Sequence, residues 1–412
     1  MFQQLLDRIF RTTIIVLLTA PIAWSGSIKV LRNFGRNTRT PSSGLVVDTA
    51  GNAYGTTAVS GVHGAGVVYR LSPDSGYQNI YGFGGVPDGK QPQGNLVIDA
   101  VGNLYGTTVY GGLKNQNCQN VGCGTVYRLS PPTNGGAWTE TVLYRFTGGD
   151  DGANPQAGIT MDSTGNIYGT TLNGGLGVGV VFSLTPTGNG QWNETVLHTF
   201  TNHSDGALPQ CQLAFDKNGN LYGTAGWAFE LIRNGDGTWT YTIIYRFDPD
   251  KGDPVEAATG VILDDQGNLF GTSQYGGKYH QGGNLGYGTV FELSPNIDGT
   301  WSENIIYSFA GDSDGATPQT ALAFDAAGNL YGTTYHGGGT KCDFNNGCGT
   351  VFTLTPDGNG GWSKQQFAFP SNANFGILPS APAPLLVMNN HLYGTTTGGG
   401  QYGGGVVYEI TP

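Results

Sequence analysis

Charge is scarce in this chain. Only 11% of its 412 residues are Asp, Glu, Lys or Arg, where about 25% is ordinary for a globular domain, and 29 acids against 18 bases leave a net charge of -11. Such a surface repels phosphate backbones and anionic lipid, and no basic stretch reverses it locally. A nucleic-acid partner and a charged coiled coil are both excluded. Long apolar runs are missing after the first two dozen residues, which leaves nothing there to span a bilayer as a helix. The 71 glycines follow no Gly-X-Y period, so collagen is excluded too. Also absent are a Gly-rich phosphate loop in strand-to-helix order, a Gly-x-Ser-x-Gly nucleophile elbow, and the His-x-His, His-x-x-x-His or paired-acid spacings of common metal and acid–base centres. What is present is apolar and aromatic: 38% hydrophobic residues, with 21 Tyr and 19 Phe, suffice for a large core.

Arg8 and Arg11 precede an apolar run from Thr13 to Trp24, and Ala23-Trp24-Ser25 fits a small-x-small cleavage site. A signal peptide over 1–25 and a mature chain over 26–412 are expected, secreted or periplasmic, with no membrane span after cleavage and as a monomer. An uncleaved anchor is the alternative, although the run is shorter than the ~20 residues a span needs. The chain ends at Ile410-Thr411-Pro412 with no hydrophobic tail, which favours release over tethering. In an oxidising compartment the two close cysteine pairs, Cys118 with Cys123 and Cys342 with Cys348, are read as local disulfides. A four-cysteine zinc site is the rival reading; it lacks C-x-x-C spacing, and the repeat sets the two loops far apart. Cys211 is left as a buried free thiol.

One motif recurs seven times, around Tyr54, Tyr105, Tyr168, Tyr222, Phe270, Tyr331 and Tyr393, at intervals of 48 to 63 residues. Such a period marks a repeat array whose units bury their faces against one another. Each unit splits into four strand-like runs separated by turn residues, as in Leu96–Asp99, the Asn-Leu-Tyr-Gly-Thr-Thr run, Gly124–Pro131 and a last run from Trp138 to Phe146. Four antiparallel strands per unit make a propeller blade. The seventh unit stops after its third strand, whereas residues 27–34 match the fourth-strand pattern ahead of the first unit. The predicted fold is therefore an all-β, seven-bladed propeller whose last blade is closed by the N-terminal strand. Gly106 and Gly332, inside the second strands, are read as points of close approach between packed sheets.

The run Asp-x-x-Gly-Asn-Leu-Tyr-Gly-Thr-Thr, followed by Gly-Gly, Gly-Thr-Val-Tyr/Phe-x-Leu-Ser/Thr-Pro and then Val-Leu-Tyr-x-Phe with Asp-Gly-Ala-x-Pro, resembles the GloVer (Gloeo/Verruco) tandem-repeat family of exported bacterial proteins over residues 27–412. The resemblance implies an extracellular or surface-attached repeat protein and carries no activity with it. A weaker likeness, of the Asp-x-x-Gly-Asn-Leu-Tyr hairpin alone, extends to propeller lactonases and streptogramin lyases.

In this topology the loops between second and third strands share a face with the links between blades, and variable loops on a rigid scaffold are where binding sits. Tyr110, Tyr275, Tyr335 and His336 stand there beside Gly-Gly steps and are the candidate ligand-binding residues; the plainer reading packs these tyrosines onto neighbouring loops. Pro92-Gln93, Pro155-Gln156, Pro209-Gln210 and Pro318-Gln319 are expected to ring the channel mouth with amides, with Glu256 replacing Gln in the fifth unit. Glu256 with His63, His280 and His336 is the catalytic candidate set, one acid and scattered histidines for a metal-assisted reaction. Asp312 and Asp314 alternate as in a calcium loop but lack its distant Glu, and turn capping is the competing role. No cofactor is expected, calcium being the one candidate. The reading is an exported, non-catalytic binding propeller directed at an extracellular glycan or surface protein. A metal-assisted lyase or lactonase with its site at the channel mouth and an architectural matrix component are the alternatives.

Overall fold

The computed structural model describes residues 26–412 apart from 36–37, 134, 202–203, 258, 280–284, 340–341, 343–346, 372–375 and 380–382. The expected signal segment and His280 lie outside the described residues. Seven antiparallel sheets of four main strands follow one another along the chain. Blade 2 is the pattern: Val97–Ile98, Leu104–Thr108, Thr125–Ser130 and Thr139–Arg145 pair in sequence order from the inner strand to the outer.

The inner hairpins of blades 1 to 6 are set by an Asp whose carboxylate organises the turn, while blade 7 turns at Asn389 and Asn390, both at positive φ. In blade 2, Asp99 accepts from the backbone N–H of Val101 and Asn103, from Asn103 Nδ2 and from the Tyr105 hydroxyl, at 2.8–3.1 Å. Gly102 follows at φ +88°, a left-handed position glycine adopts without strain. The same bonds recur at Asp48, Asp162 and Asp325. Burial alone would raise these carboxyls, but the hydrogen bonds outweigh it and all four lie below the usual carboxylate range.

In blades 2 to 6 the second strands are buried along their whole length, whereas fourth strands such as Trp192–Thr199 and Trp301–Ser308 begin by alternating between exposed and half-buried residues, as the outer edge of a sheet requires. One contact repeats seven times between blades. The Phe that ends each fourth strand meets the aromatic ring of the next blade's third strand, with centroids 5.0–5.8 Å apart: Phe34 on Tyr69, then Phe83 on Tyr127, Phe146 on Phe182, Phe200 on Phe229, Phe247 on Phe291, Phe309 on Phe352 and Phe369 on Tyr408. Directly opposite each of these rings stands the second-strand glycine. At Gly106 a Cβ would meet the Tyr127 hydroxyl at 2.6 Å, and at Gly332 it would meet the Phe352 ring at 2.5 Å. The close approach inferred from the sequence is therefore made largely by a ring of the glycine's own sheet, which lies across the vacant Cβ position.

The ring closes as expected. Ser27–Asn33 pairs antiparallel with Val406–Thr411, with Ile28 opposite Ile410 and Asn33 opposite Val406. Both disulfides are formed, Cys118 to Cys123 and Cys342 to Cys348. Cys211 is free and fully buried; burial pushes its thiol up to about 11. No helix among the described residues is long and apolar enough to cross a membrane.

Candidate functional site

Strand alternation puts the loops between second and third strands on one face, together with the links that run from each fourth strand to the next blade. Each link is anchored by a non-glycine residue held at positive φ: Thr40, Gln91, Asn154, Leu208, Glu256, Thr317 and Leu378, all between 51° and 59°. Left-handed backbone costs an L-residue about 1–2 kcal/mol, and what offsets it is visible at six of the seven positions. There the N–H donates to a carbonyl just before the preceding blade's third strand, at 2.7–3.2 Å, as in Asn154 to Cys123 and Thr317 to Tyr287. Seven-fold recurrence makes this a device of the scaffold rather than of one site.

This register also relocates Glu256. It shares its φ with Thr317 and Asn154, the residues that precede proline, and Ala257 takes the proline's place. Glu256 is thus an exposed link residue and does not stand in the glutamine position. The glutamines stand in the links, four residues ahead of the inner strands that begin at Val97, Thr160, Ala214 and Ala323: Gln93, Gln156 and Gln319 are half-buried and Gln210 is exposed. Gln319 Nε2 donates to Gln274 Oε1 at 3.1 Å. Two residues further in, Asn95 and Gln212 reach across blade 3 to each other at 3.1 Å, while Asn95 Oδ1 accepts from Gly44 N and Gln212 Nε2 donates to Ile159 O. These two amides form a crossbar over the inner strands, which the sequence reading missed. Asn95 and Gln212 break the run of Gly44, Gly158, Gly260 and Ala321 at the position before each buried apolar residue of the inner strands, and that departure was the available signal.

Tyr110, Tyr275 and His336 occupy one structural place. Each pairs with a link residue, Lys90, Val255 and Ala316 respectively, and Asn173 holds the same position in blade 3. The three tyrosines named from sequence are half-buried. Tyr335 packs edge-on against His336 at 4.7 Å, and His336 Nδ1 lies 3.0 Å from Thr317 Oγ1. His63 is exposed at the tip of the blade 1 loop. Among the described residues no group of three His, Cys, Asp or Glu side chains could hold a metal ion. Asp312 is exposed, while Asp314 is fully engaged: its carboxylate takes Lys364 Nζ and the Tyr307 hydroxyl, both at 2.7 Å, and the backbone N–H of Ala310 at 2.8 Å. A calcium ion there would have to displace that ammonium group.

What the sequence did not single out is the apolar rim of this face. Among the described residues, all the exposed large hydrophobics except Val101, Ile232 and Ile297 stand on these loops, strand ends and links; they include Val62, Leu113, Leu176, Leu285, Tyr279 and Tyr402. The blade 2 loop is braced beneath them, since its disulfide sits against Gly148 while Asn115 and Asn117 donate to Thr147 O. Trp227 of blade 4 is capped by the Arg246 guanidinium, 4.0 Å from the ring centroid. A groove of about 520 Å³ opens at the hairpin-turn ends of blades 7 and 1, lined by Leu31, Leu45, Leu71, Leu386 and Tyr393. Blade 1 lacks the Trp that in blades 2, 4, 5 and 6 packs on the preceding blade's aromatic ring.

These features define a closed seven-bladed propeller built from a tandem repeat, with one face of variable loops. Models of the Gloeobacter/Verrucomicrobia repeat match residues 21–230, 119–341 and 225–412, and the chain belongs to that family. No curated protein matches it. Among solved structures it is similar to virginiamycin B lyase from Staphylococcus aureus, at 16% identity and a TM-score of 0.56, covering 94% of this chain and 99% of that one. It is also similar to the extracellular domain of a hybrid two-component system from B. thetaiotaomicron, at 11% identity and a TM-score of 0.53, covering 93% of this chain and 41% of that one. At these identities the likeness is one of fold.

Proposed function

We propose that this protein is an exported binding module that engages an extracellular partner through its loop face. The observation that carries the reading is the concentration of exposed Val, Leu and Tyr side chains on that one face of an otherwise polar, acidic molecule. Apolar surface gathered on a single face of a monomer marks an interaction site, and the disulfide-braced loop presents part of it at little entropic cost. Val62, Leu113, Leu176 and Leu285 suit the surface of a protein better than a sugar ring, whereas Tyr279 and Tyr402 are the groups on which a sugar would stack. The two disulfides and the signal-like N-terminus support an extracellular setting.

The test is adsorption of residues 26–412 to cell envelopes of the bacterium that makes the protein, alongside thermal unfolding against an oligosaccharide panel with divalent metals and with EDTA. Saturable adsorption that the L113D/L176D/L285D variant loses is the expected result. A ligand at 100 times its Kd adds about 2.7 kcal/mol to the native state, enough to raise the unfolding midpoint. A glycan shift that the same variant keeps would replace the protein partner with a sugar. The lyase reading draws on the likeness to virginiamycin B lyase; a metal-dependent shift with turnover lost in E256Q and H336A would favour it over binding alone.

A further inference from the structure

The fourth strands carry one position, opposite a third-strand Leu or, in blade 7, Ile410, that faces the preceding blade. Across the seven blades it holds Tyr77, Glu140, Glu194, Tyr241, Glu303, Lys364 and Ile28. Across from it, in the incoming link, lies an Asp: Asp88 for blade 2, Asp151 for blade 3, Asp205 for blade 4, Asp253 for blade 5 and Asp314 for blade 6. Where the position holds Lys364, the ammonium answers Asp314 at 2.7 Å and is only 6% exposed. Where it holds Tyr241, the hydroxyl donates to Asp205 O and the ring stacks on His198 at 3.7 Å.

In the other three cases an acid faces an acid. Glu140 stands towards Asp88, Glu194 towards Asp151 and Glu303 towards Asp253, at the place where Lys364 meets Asp314 in blade 6. Oε1 of all three glutamates is buried without a donor. The remaining groups nearby are no cationic substitutes for Lys364. The Tyr81 hydroxyl donates to Asp88 and the Tyr144 hydroxyl to Asp151, Tyr245 borders Asp253 and Glu303, and the Tyr127 ring is buried beside Glu140. Arg145 alone brings positive charge, to Glu140. Two neighbouring buried carboxyl groups with no cation between them favour holding one proton, because two carboxylates only repel.

We propose that the interfaces of blades 1 with 2, 2 with 3 and 4 with 5 are each closed by a carboxyl–carboxylate pair that shares one proton, so that the ring tightens in mildly acidic medium and loosens on the alkaline side. Burial, then the neighbouring Asp, pushes Glu140 and Glu194 up to about 7 and Glu303 up to about 8. A carboxyl raised in the folded state stabilises most below its unfolded value, near 4.5, and that contribution is lost as the pH climbs through the folded value. The losing window therefore runs from about pH 5 to about pH 8.

The experiment follows the unfolding midpoint from about pH 5 to about pH 9 for residues 26–412 and for E140Q/E194Q/E303Q, in which an amide can donate where the shared proton stood. A wild-type midpoint that falls with pH, against a triple variant that stays level, is expected. The same slope in both, or a level wild type, would overturn the proposal. Infrared titration of the wild type alone keeps the idea testable if the variant fails to fold: protonated carboxyl bands must persist near pH 6 and vanish by about pH 9, and full ionisation at pH 6 would sink it.

Discussion

The smallest unit that matters in this propeller is a missing Cβ. In all seven second strands a glycine lies under the aromatic ring of the third strand, and at Gly271 a methyl group would stand 2.5 Å from Phe291. The ring cannot retreat, because its other side is held by Phe247 of the preceding blade at 5.2 Å. Gly271→Ala should therefore cost about 2–3 kcal/mol, the upper part of the range for overpacking a core. Alanine at Gly267, in the same blade, meets no atom within 4 Å and bears only the strain of φ +88°. Chemical denaturation of the two variants should rank them in that order, and equal midpoints would count against the ring-over-glycine account.

At the scale of the element, the inner hairpin is the self-contained piece. Its Asp binds the turn, its own Asn and the tyrosine six residues on, so the hairpin carries its own instructions. Asp99→Ala removes four hydrogen bonds to a charged acceptor at a part-exposed site, and a loss of about 1–2 kcal/mol is expected. The pH dependence has a definite sign. The folded carboxyl lies below its ordinary value, so its contribution is complete above the unfolded value and disappears as the pH falls through the folded one. Acid unfolding below about pH 4 should be steep in the wild type and less so in the variant, followed by circular dichroism. The hairpins act below about pH 4, whereas the proposed interblade pairs would act between about pH 5 and about pH 8.

The whole molecule depends on closure. Phe34 is fully buried and meets both Tyr69 and Tyr77 of blade 1, while the strand before it completes blade 7. It joins the two ends of the chain, so no local contact can replace it. Phe34→Ala should cost about 3–5 kcal/mol, as for other buried Phe truncations. It should also raise hydrogen exchange first in Ser27–Asn33 and Val406–Thr411, where the ring would open. Uniform protection loss across all blades would instead mean that the seam is no weaker than the other interfaces.

The sequence by itself determined the number of blades, the four strands of each, the closing strand and the two disulfides. All of these are written in local, repeated chemistry: Asp and Gly at fixed offsets in turns, apolar runs bounded by them, and a fourth-strand pattern displaced to the N-terminus. It also named Tyr110, Tyr275, Tyr335 and His336 as residues of the loop face, because loop length shows which face varies. Only the tertiary structure decided which groups meet across blades. Asp88 and Glu140 are 52 positions apart and Asn95 and Gln212 are 117 apart, and although each stands at a recurring place in its unit, the repeat does not show which residue of one unit faces which of another. The left-handed residue before each proline was hidden for a related reason: its N–H is held by a carbonyl of the neighbouring blade, and a residue's own chemistry does not announce a constraint that arrives from outside its repeat, while the register of Glu256 was hidden because Ala257 replaces the proline that marks it in the other links.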